Sequence, residues 1–218
     1  MNVTGPLTLR VETETLPLVA PFRISGHTWE NLEVLLVSLQ KDGCIGRGEA
    51  AGVYYKEDRP ASMLRQVESL RADIEAGISR EDLQKRLPPG GARNALDCAL
   101  WDLEAKLSGR RAWQSAGLDK PHPILTTFTC GADEPDKMAA AAVAYTQARA
   151  IKLKLTGDPI DAERVRAVRE ARKDVWLGVD ANQGFTRDFL ERLMPVLVET
   201  DVKLIEQPFR IGQESQLE

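Results

Sequence analysis

The sequence predicts an α+β domain followed by a parallel (β/α) barrel that is interrupted after about four strands, and three observations carry that expectation. Residues 1–120 read as a run of strands and then a run of helices. From residue 121 to residue 218 strand-like and helix-like segments alternate. Within that second part, Lys154, Asp180 and Glu206 each close an apolar, strand-like run, and 26 residues separate each from the next. Equal spacing of this kind is the beat of a repeating strand-helix unit.

In the first domain, residues 7–14 and 31–41 have the character of strands. Lys41-Asp42-Gly43 makes the turn into a third short strand, Cys44-Ile45-Gly46-Arg47-Gly48-Glu49. Together they make an antiparallel meander. Residues 59–77 predict a helix opened by Pro60 and closed by Gly77. A short helix starts from Ser79, with Asp82 three positions on as a variant of the capping box. Residues 92–108 predict a third helix, because Leu96, Leu100, Leu103 and Leu107 recur at intervals of 4, 3 and 4 and Gly109 ends the pattern.

Lys120-Pro121-His122-Pro123 connects the two domains. Strands are then predicted over 124–130, 150–155, 175–179 and 202–205, and helices over 135–150, 159–173 and 186–200. Alternation implies parallel βαβ units with right-handed crossovers. A small open sheet is the competing architecture, but such sheets usually bind ligand at a glycine-rich first turn. Neither GxGxxG nor GxxxxGK[ST] occurs, which also argues against nucleotide binding.

Composition narrows the partners. A chain of 218 residues that is 43% hydrophobic and 28% charged is ordinary for a globular protein. Its net charge of −4, with bases scattered among acids, offers no basic stripe for nucleic acid and no polybasic membrane anchor. A small-molecule substrate is expected. Met1-Asn2-Val3-Thr4-Gly5-Pro6 does not read as a leader, and the expected location is cytoplasmic. Cys44, Cys98 and Cys130 show no CxxC spacing and are expected to be small buried hydrophobes.

The chemistry begins with Lys152 and Lys154, which alternation places on one face of a strand whose other face carries Ile151, Leu153 and Leu155. Two ammonium groups held together repel, so one is expected to lose its proton more readily and serve as a base. Taken singly, the lysines also suit a solvated face, Asp180 a turn, and Glu206 a surface acid. Their joint placement at successive strand ends is what points to a barrel mouth, and carboxylates gathered there are hard ligands of the kind Mg²⁺ takes.

Lys152-Leu153-Lys154, Asp180-Ala181-Asn182 and Glu206-Gln207-Pro208 resemble the KxK, DxN and EQP motifs of the enolase superfamily, in its muconate lactonizing enzyme subgroup. The stretches from Gly77 to Lys85 and from Gly90 to Leu103 are most similar to dipeptide epimerases of the L-Ala-D/L-Glu kind. The resemblance implies an enolase-type capping domain and barrel, Mg²⁺ as cofactor, a dipeptide substrate and a 1,1-proton transfer through an enediolate. It implies Lys154 as an acid/base, Lys152 beside the substrate carboxylate, and Asp180 and Glu206 as metal ligands. Pro21-Phe22-Arg23-Ile24-Ser25-Gly26-His27 is similar to a specificity loop, with Arg23 and His27 as alternative contacts to a glutamyl carboxylate. Tyr54 or Tyr55 in a second such loop would exclude water, and Thr129 is a further candidate substrate contact.

In the family a third acidic ligand and a second base stand on later strands. Glu214 and Glu218 lie too near Glu206 to fill the ligand's place. The chain is therefore expected to be part of a longer one, inactive by itself, and a homo-oligomer is compatible with the sequence. A sister reaction of the subgroup (cycloisomerase or o-succinylbenzoate synthase) and a catalytically silent fragment are the rival readings.

Overall fold

The computed structural model describes residues 5–217, so Glu218 and part of the segment read for a leader lie outside the described residues. The chain divides into two compact units, one of residues up to Pro17 with Asn31–His122, the other of Leu18–Glu30 with Pro123 onward.

The first unit is built on three strands in the order β1-β2-β3: β1 (Thr8–Ile24), β2 (His27–Lys41) and β3 (Cys44–Ala50). β2 and β3 pair antiparallel from Leu35↔Ala50 to Lys41↔Cys44, around the predicted turn. Helices α1 (Pro60–Ser69), α2 (Arg71–Glu75), α3 (Arg80–Arg86), α4 (Gly91–Ser108) and α5 (Ala112–Ser115) follow. The helix expected over 59–77 is interrupted, because Leu70 leaves helical geometry at φ −107° and ψ 8°. α3 starts as expected: the Ser79 hydroxyl accepts from the Asp82 N–H at 3.0 Å.

α4 supplies the core of this unit. Leu96, Leu100 and Leu103 are fully buried, and each such side chain stabilises by ~1.5–3 kcal/mol. Gly48 of β3 faces it so closely that a Cβ there would collide with the Ala95 carbonyl oxygen and stand 2.8 Å from the Ala99 nitrogen. Only a residue without a side chain lets the strand and helix approach in this way. Cys98, on the outer side of α4, is exposed, whereas Cys44 is half-buried and Cys130 buried, so the cysteine expectation fails at position 98. Burial pushes the Cys130 thiol up to about 11.

The second unit holds a four-stranded parallel sheet in the order β4-β5-β6-β7: β4 (Phe128–Cys130), β5 (Ala150–Lys154), β6 (Trp176–Asp180) and β7 (Val202–Glu206). Between them lie α6 (Pro135–Ala144), α7 (Asp161–Ala171) and α8 (Arg187–Glu199). β4 is shorter than expected, with Ile124 and Leu125 exposed ahead of it, and α6 ends at Ala144 in a turn closed by the Ala148 N–H on the Tyr145 carbonyl. Ile151, Leu153 and Leu155 are fully exposed to none of the solvent and pack with Val165, Val168, Leu177 and Val179 in one core. That burial turns Lys152 and Lys154 to the opposite face.

The amino-terminal side of this sheet is tied by arginines. Arg172 donates to the carbonyls of Ala142, Tyr145 and Ala148 at 2.9, 2.9 and 2.6 Å and pairs with Asp174, whose carboxyl it holds down at about 2. Among the described residues no helix is long and apolar enough to cross a membrane.

Candidate active site

Parallel register brings the spaced charges onto one rung. Lys154 of β5 stands opposite Asp180 of β6, and Asp180 opposite Glu206 of β7. Thr129 of β4 is opposite Lys152, so the sheet places it on the neighbouring rung beside the first lysine. The 26-residue spacing is thus a register rule seen along the chain.

The four side chains form one ionic cluster. Lys154 Nζ donates to Asp180 Oδ2 at 2.5 Å and to Asn182 Oδ1 at 3.0 Å. Lys152 Nζ donates to Glu206 Oε2 at 2.8 Å and lies 3.6 Å from Asp180 Oδ2. Asp180 is 1% exposed, which in a parallel sheet interior demands compensation by paired cations. Its other oxygen, Oδ1, accepts from the Asn182 N–H at 2.9 Å.

The electrostatics of Lys152 are set by its carboxylate partners. Burial pulls its pKa down, but the hydrogen bond to Glu206 and the charges of Glu206 and Asp180 outweigh that, and the net shift is upward. Carboxylate pairing, not ammonium repulsion, dominates here.

The backbone at these strand ends is unusual. Asn182, Gln183 and Gln207 all have φ in the left-handed region, at 45°, 68° and 44°. Asn tolerates this conformation and glutamine does not favour it. The two ends are knitted together by the Gln183 N–H on the Gln207 carbonyl at 2.7 Å and the Phe185 N–H on the Pro208 carbonyl at 2.9 Å.

The oxygen donors suit magnesium. Asp180 and Glu206 offer carboxylates on adjacent strand ends, with the amide oxygen of Asn182 next to them and no thiol or imidazole in the cluster. A cation here would take up oxygens that the lysines now hold. Among the described residues no group of three or more His, Cys, Asp or Glu side chains is gathered to hold a metal.

The strands β1 and β2 run on through most of the predicted loop to a hairpin tip at Ser25-Gly26, which belongs to the second unit. The Arg23 carbonyl accepts from the Ala132 N–H at 3.0 Å, just beyond β4; the pKa of the adjacent Asp133 carboxyl is lowered chiefly by the Glu134 N–H, then by Lys137, and last by the charge of Arg23. His27 packs edge-on to Trp29 with ring centroids 4.1 Å apart. The backbone of the tip is therefore seated on a loop at the carboxyl end of the sheet, and the structure shows no contact of the Arg23 side chain with the ionic cluster. Tyr54 and Tyr55 lie in a 3₁₀ turn of the first unit as an edge-to-face pair with centroids 5.1 Å apart.

Residues 7–115 match the family model described as the mandelate racemase / muconate lactonizing enzyme N-terminal domain, and residues 136–218 match the enolase C-terminal domain-like model. The chain belongs to the mandelate racemase / muconate lactonizing enzyme family of the enolase superfamily. It is 36% identical over 213 residues to the L-Ala-D/L-Glu epimerase of Escherichia coli (strain K12), a match covering 97% of this chain and 66% of that protein. An enolase family member from Agrobacterium tumefaciens, solved with sodium and L-Ala-L-Glu, superposes with a TM-score of 0.91 at 34% identity, covering 97% of this chain and 65% of that one. A dipeptide epimerase from Methylococcus capsulatus, solved with Mg and L-Arg-D-Lys, superposes at 0.86 and 30% identity, over 100% of this chain and 64% of that one. The chain thus spans slightly less than two thirds of the length of these relatives.

The enolase-type reading of the fold stands, as an N-terminal domain and a partial parallel α/β domain. Asn182 is the site residue the sequence reading passed over, having been taken as part of a motif and a turn. Its signal was position: two residues beyond Asp180, it reaches the same ammonium group.

Proposed function

We propose that the full-length protein is a dipeptide epimerase of the L-Ala-D/L-Glu type, moving a proton at the α-carbon of the second residue. The observation that carries this reading is the shared rung of Lys154, Asp180 and Glu206 with Lys152 reaching across to Glu206. The epimerases among its relatives, with different dipeptides, support the reaction class. Asp180 and Glu206 would hold Mg²⁺, which when bound supplies positive charge against the substrate carboxylate. Lys152 would lie beside that carboxylate and orient it. Lys154, entering as the neutral amine, would take the α-proton and hold it at Nζ, with Asn182 Oδ1 as the fixed acceptor that aims the resulting ammonium, and a second acid/base in the remainder of the full-length protein would return a proton to the opposite face. Thr129, opposite Lys152 in the sheet register, would contact substrate, and Arg23 or His27 would meet the glutamyl carboxylate from the hairpin. Recycling of cell-wall peptides in the cytoplasm would suit such an activity.

Incubating the full-length protein with L-Ala-D-Glu and Mg²⁺ in D₂O is expected to place deuterium at the glutamyl α-carbon and to yield both epimers. Turnover of a cyclohexadiene carboxylate without exchange into any dipeptide would instead assign a sister reaction.

A further inference from the structure

The hairpin tip and the loops after β4, β5 and β6 form a ring. Arg23 is bonded to Ala132 and lies against Gly131, where an added Cβ would be 3.5 Å from its backbone. Ser25 sits on Gly184, where a Cβ would come 2.9 Å from the Ser25 Cβ. Gly184 in turn meets Gly157, where a Cβ would stand 3.2 Å from the Gly184 carbonyl carbon. The remaining link, from the loop after β5 back to the loop after β4, is a buried ion pair. Asp161 has no solvent exposure and accepts from the N–H groups of Thr156 and Gly157 at 3.1 and 2.8 Å and from Arg164 Nη1 at 2.8 Å. Arg164, 6% exposed, donates from Nε to the Asp133 carbonyl and from Nη1 to Thr156 Oγ1, both at 2.7 Å.

Stability does not call for such a pair, because apolar replacements of buried ion pairs are often neutral or stabilising. What charges and fixed donors supply is direction: a planar guanidinium held by a carboxylate sets two loops at one separation. We propose that Asp161 and Arg164 are positioning residues for the hairpin tip, holding the 131–134 and 156–157 loops so that residues 23–27 stay seated at the carboxyl end of the sheet. The consequence for substrate rests on the proposed epimerase function, in which Arg23 or His27 meets the dipeptide side chain.

In the full-length protein, Arg164→Lys keeps the charge beside Asp161 but loses the fork that reaches two loops. Hydrogen exchange at the Ala132 amide is expected to quicken at least tenfold while the amides of β6 keep their wild-type rates. The KM for L-Ala-L-Glu is expected to rise at least fivefold with kcat within twofold. Should Arg164→Lys fold poorly, Thr156→Val, which leaves the buried pair whole and removes one link to Arg164 together with the exposed hydrogen bond from Thr156 Oγ1 to Asp158, must show the same pattern at smaller size, while Asp158→Ala, which breaks only that exposed bond, must not. Unchanged exchange at Ala132, exchange that rises there only in step with β6, or a fall in kcat at constant KM would each overturn the proposal. If wild-type protein epimerises no dipeptide, the functional reading fails, while the exchange at Ala132 still decides the positioning role.

Discussion

Replacing Lys154 by alanine in the full-length protein is expected to reduce α-proton exchange by ~10²–10⁴-fold or more, the range contributed by a positioned acid or base. Magnesium affinity should stay within a few fold, because Asp180 and Glu206 remain and Lys152 still lies 3.6 Å from Asp180. Asp180→Ala and Glu206→Ala should behave in the reverse order, losing metal affinity by about 100-fold or more, since even outer partners of ligands cost ~10–100-fold. Isothermal titration with Mg²⁺ set beside deuterium incorporation separates the two roles. Wild-type exchange in the Lys154 variant would remove that lysine from the chemistry.

Gly48→Ala is expected to destabilise the first unit severely. The added Cβ meets the Ala95 carbonyl oxygen and comes within 2.8 Å of the Ala99 nitrogen, both backbone atoms of α4 that cannot swing away as a side chain would. Overpacking of this kind costs ~1–3 kcal/mol, and a collision with helix backbone belongs at or above the upper end. Because α4 buries Leu96, Leu100 and Leu103, pushing it off β3 opens the centre of the unit. Denaturant unfolding monitored in the full-length protein should show a clearly lower midpoint. A midpoint equal to the wild type would mean that strand and helix separate at little cost.

Much of this organisation was legible because the relevant signals are periodic. Lys152 and Lys154 alternate with apolar residues that are fully buried, and the 26-residue interval became Lys154↔Asp180↔Glu206. Local periodicity carries no information about what lies across space, and the misreadings follow from that. Ile124 and Leu125 look like the start of a strand but stay exposed, and the pairing of β4 begins only at Phe128↔Ile151. The break at Leu70 sits in a sequence with no proline or glycine to announce it. Residues 15–24 continue β1 although their alternation is weak, because the hairpin is settled by its seat on the loops beyond β4 and β6.

Among the described residues, six other than glycine hold left-handed backbone: Asp42, Glu57, Asn182, Gln183, Asp201 and Gln207. Glycine would relax each of them, since it adopts that conformation without a Cβ penalty. The consequences differ by place. Asp42, Glu57 and Asp201 lie in turns away from the ionic cluster, so glycine there exchanges one turn for a more comfortable one. At 183 and 207 glycine would also remove side chains that join the loops at the strand ends: Gln183 Oε1 accepts from the Ile211 N–H at 3.2 Å and Gln207 Oε1 from Asn182 Nδ2 at 3.4 Å. If the proposed function holds, robustness and turnover would pull against each other at these two positions and at Asn182, which bonds Lys154 and Asp180, and at none of the three turns. A library scored separately for survival on heating and for turnover would divide the six residues into two groups, and the group in which the scores disagree would trace the outline of the mouth without reference to any motif.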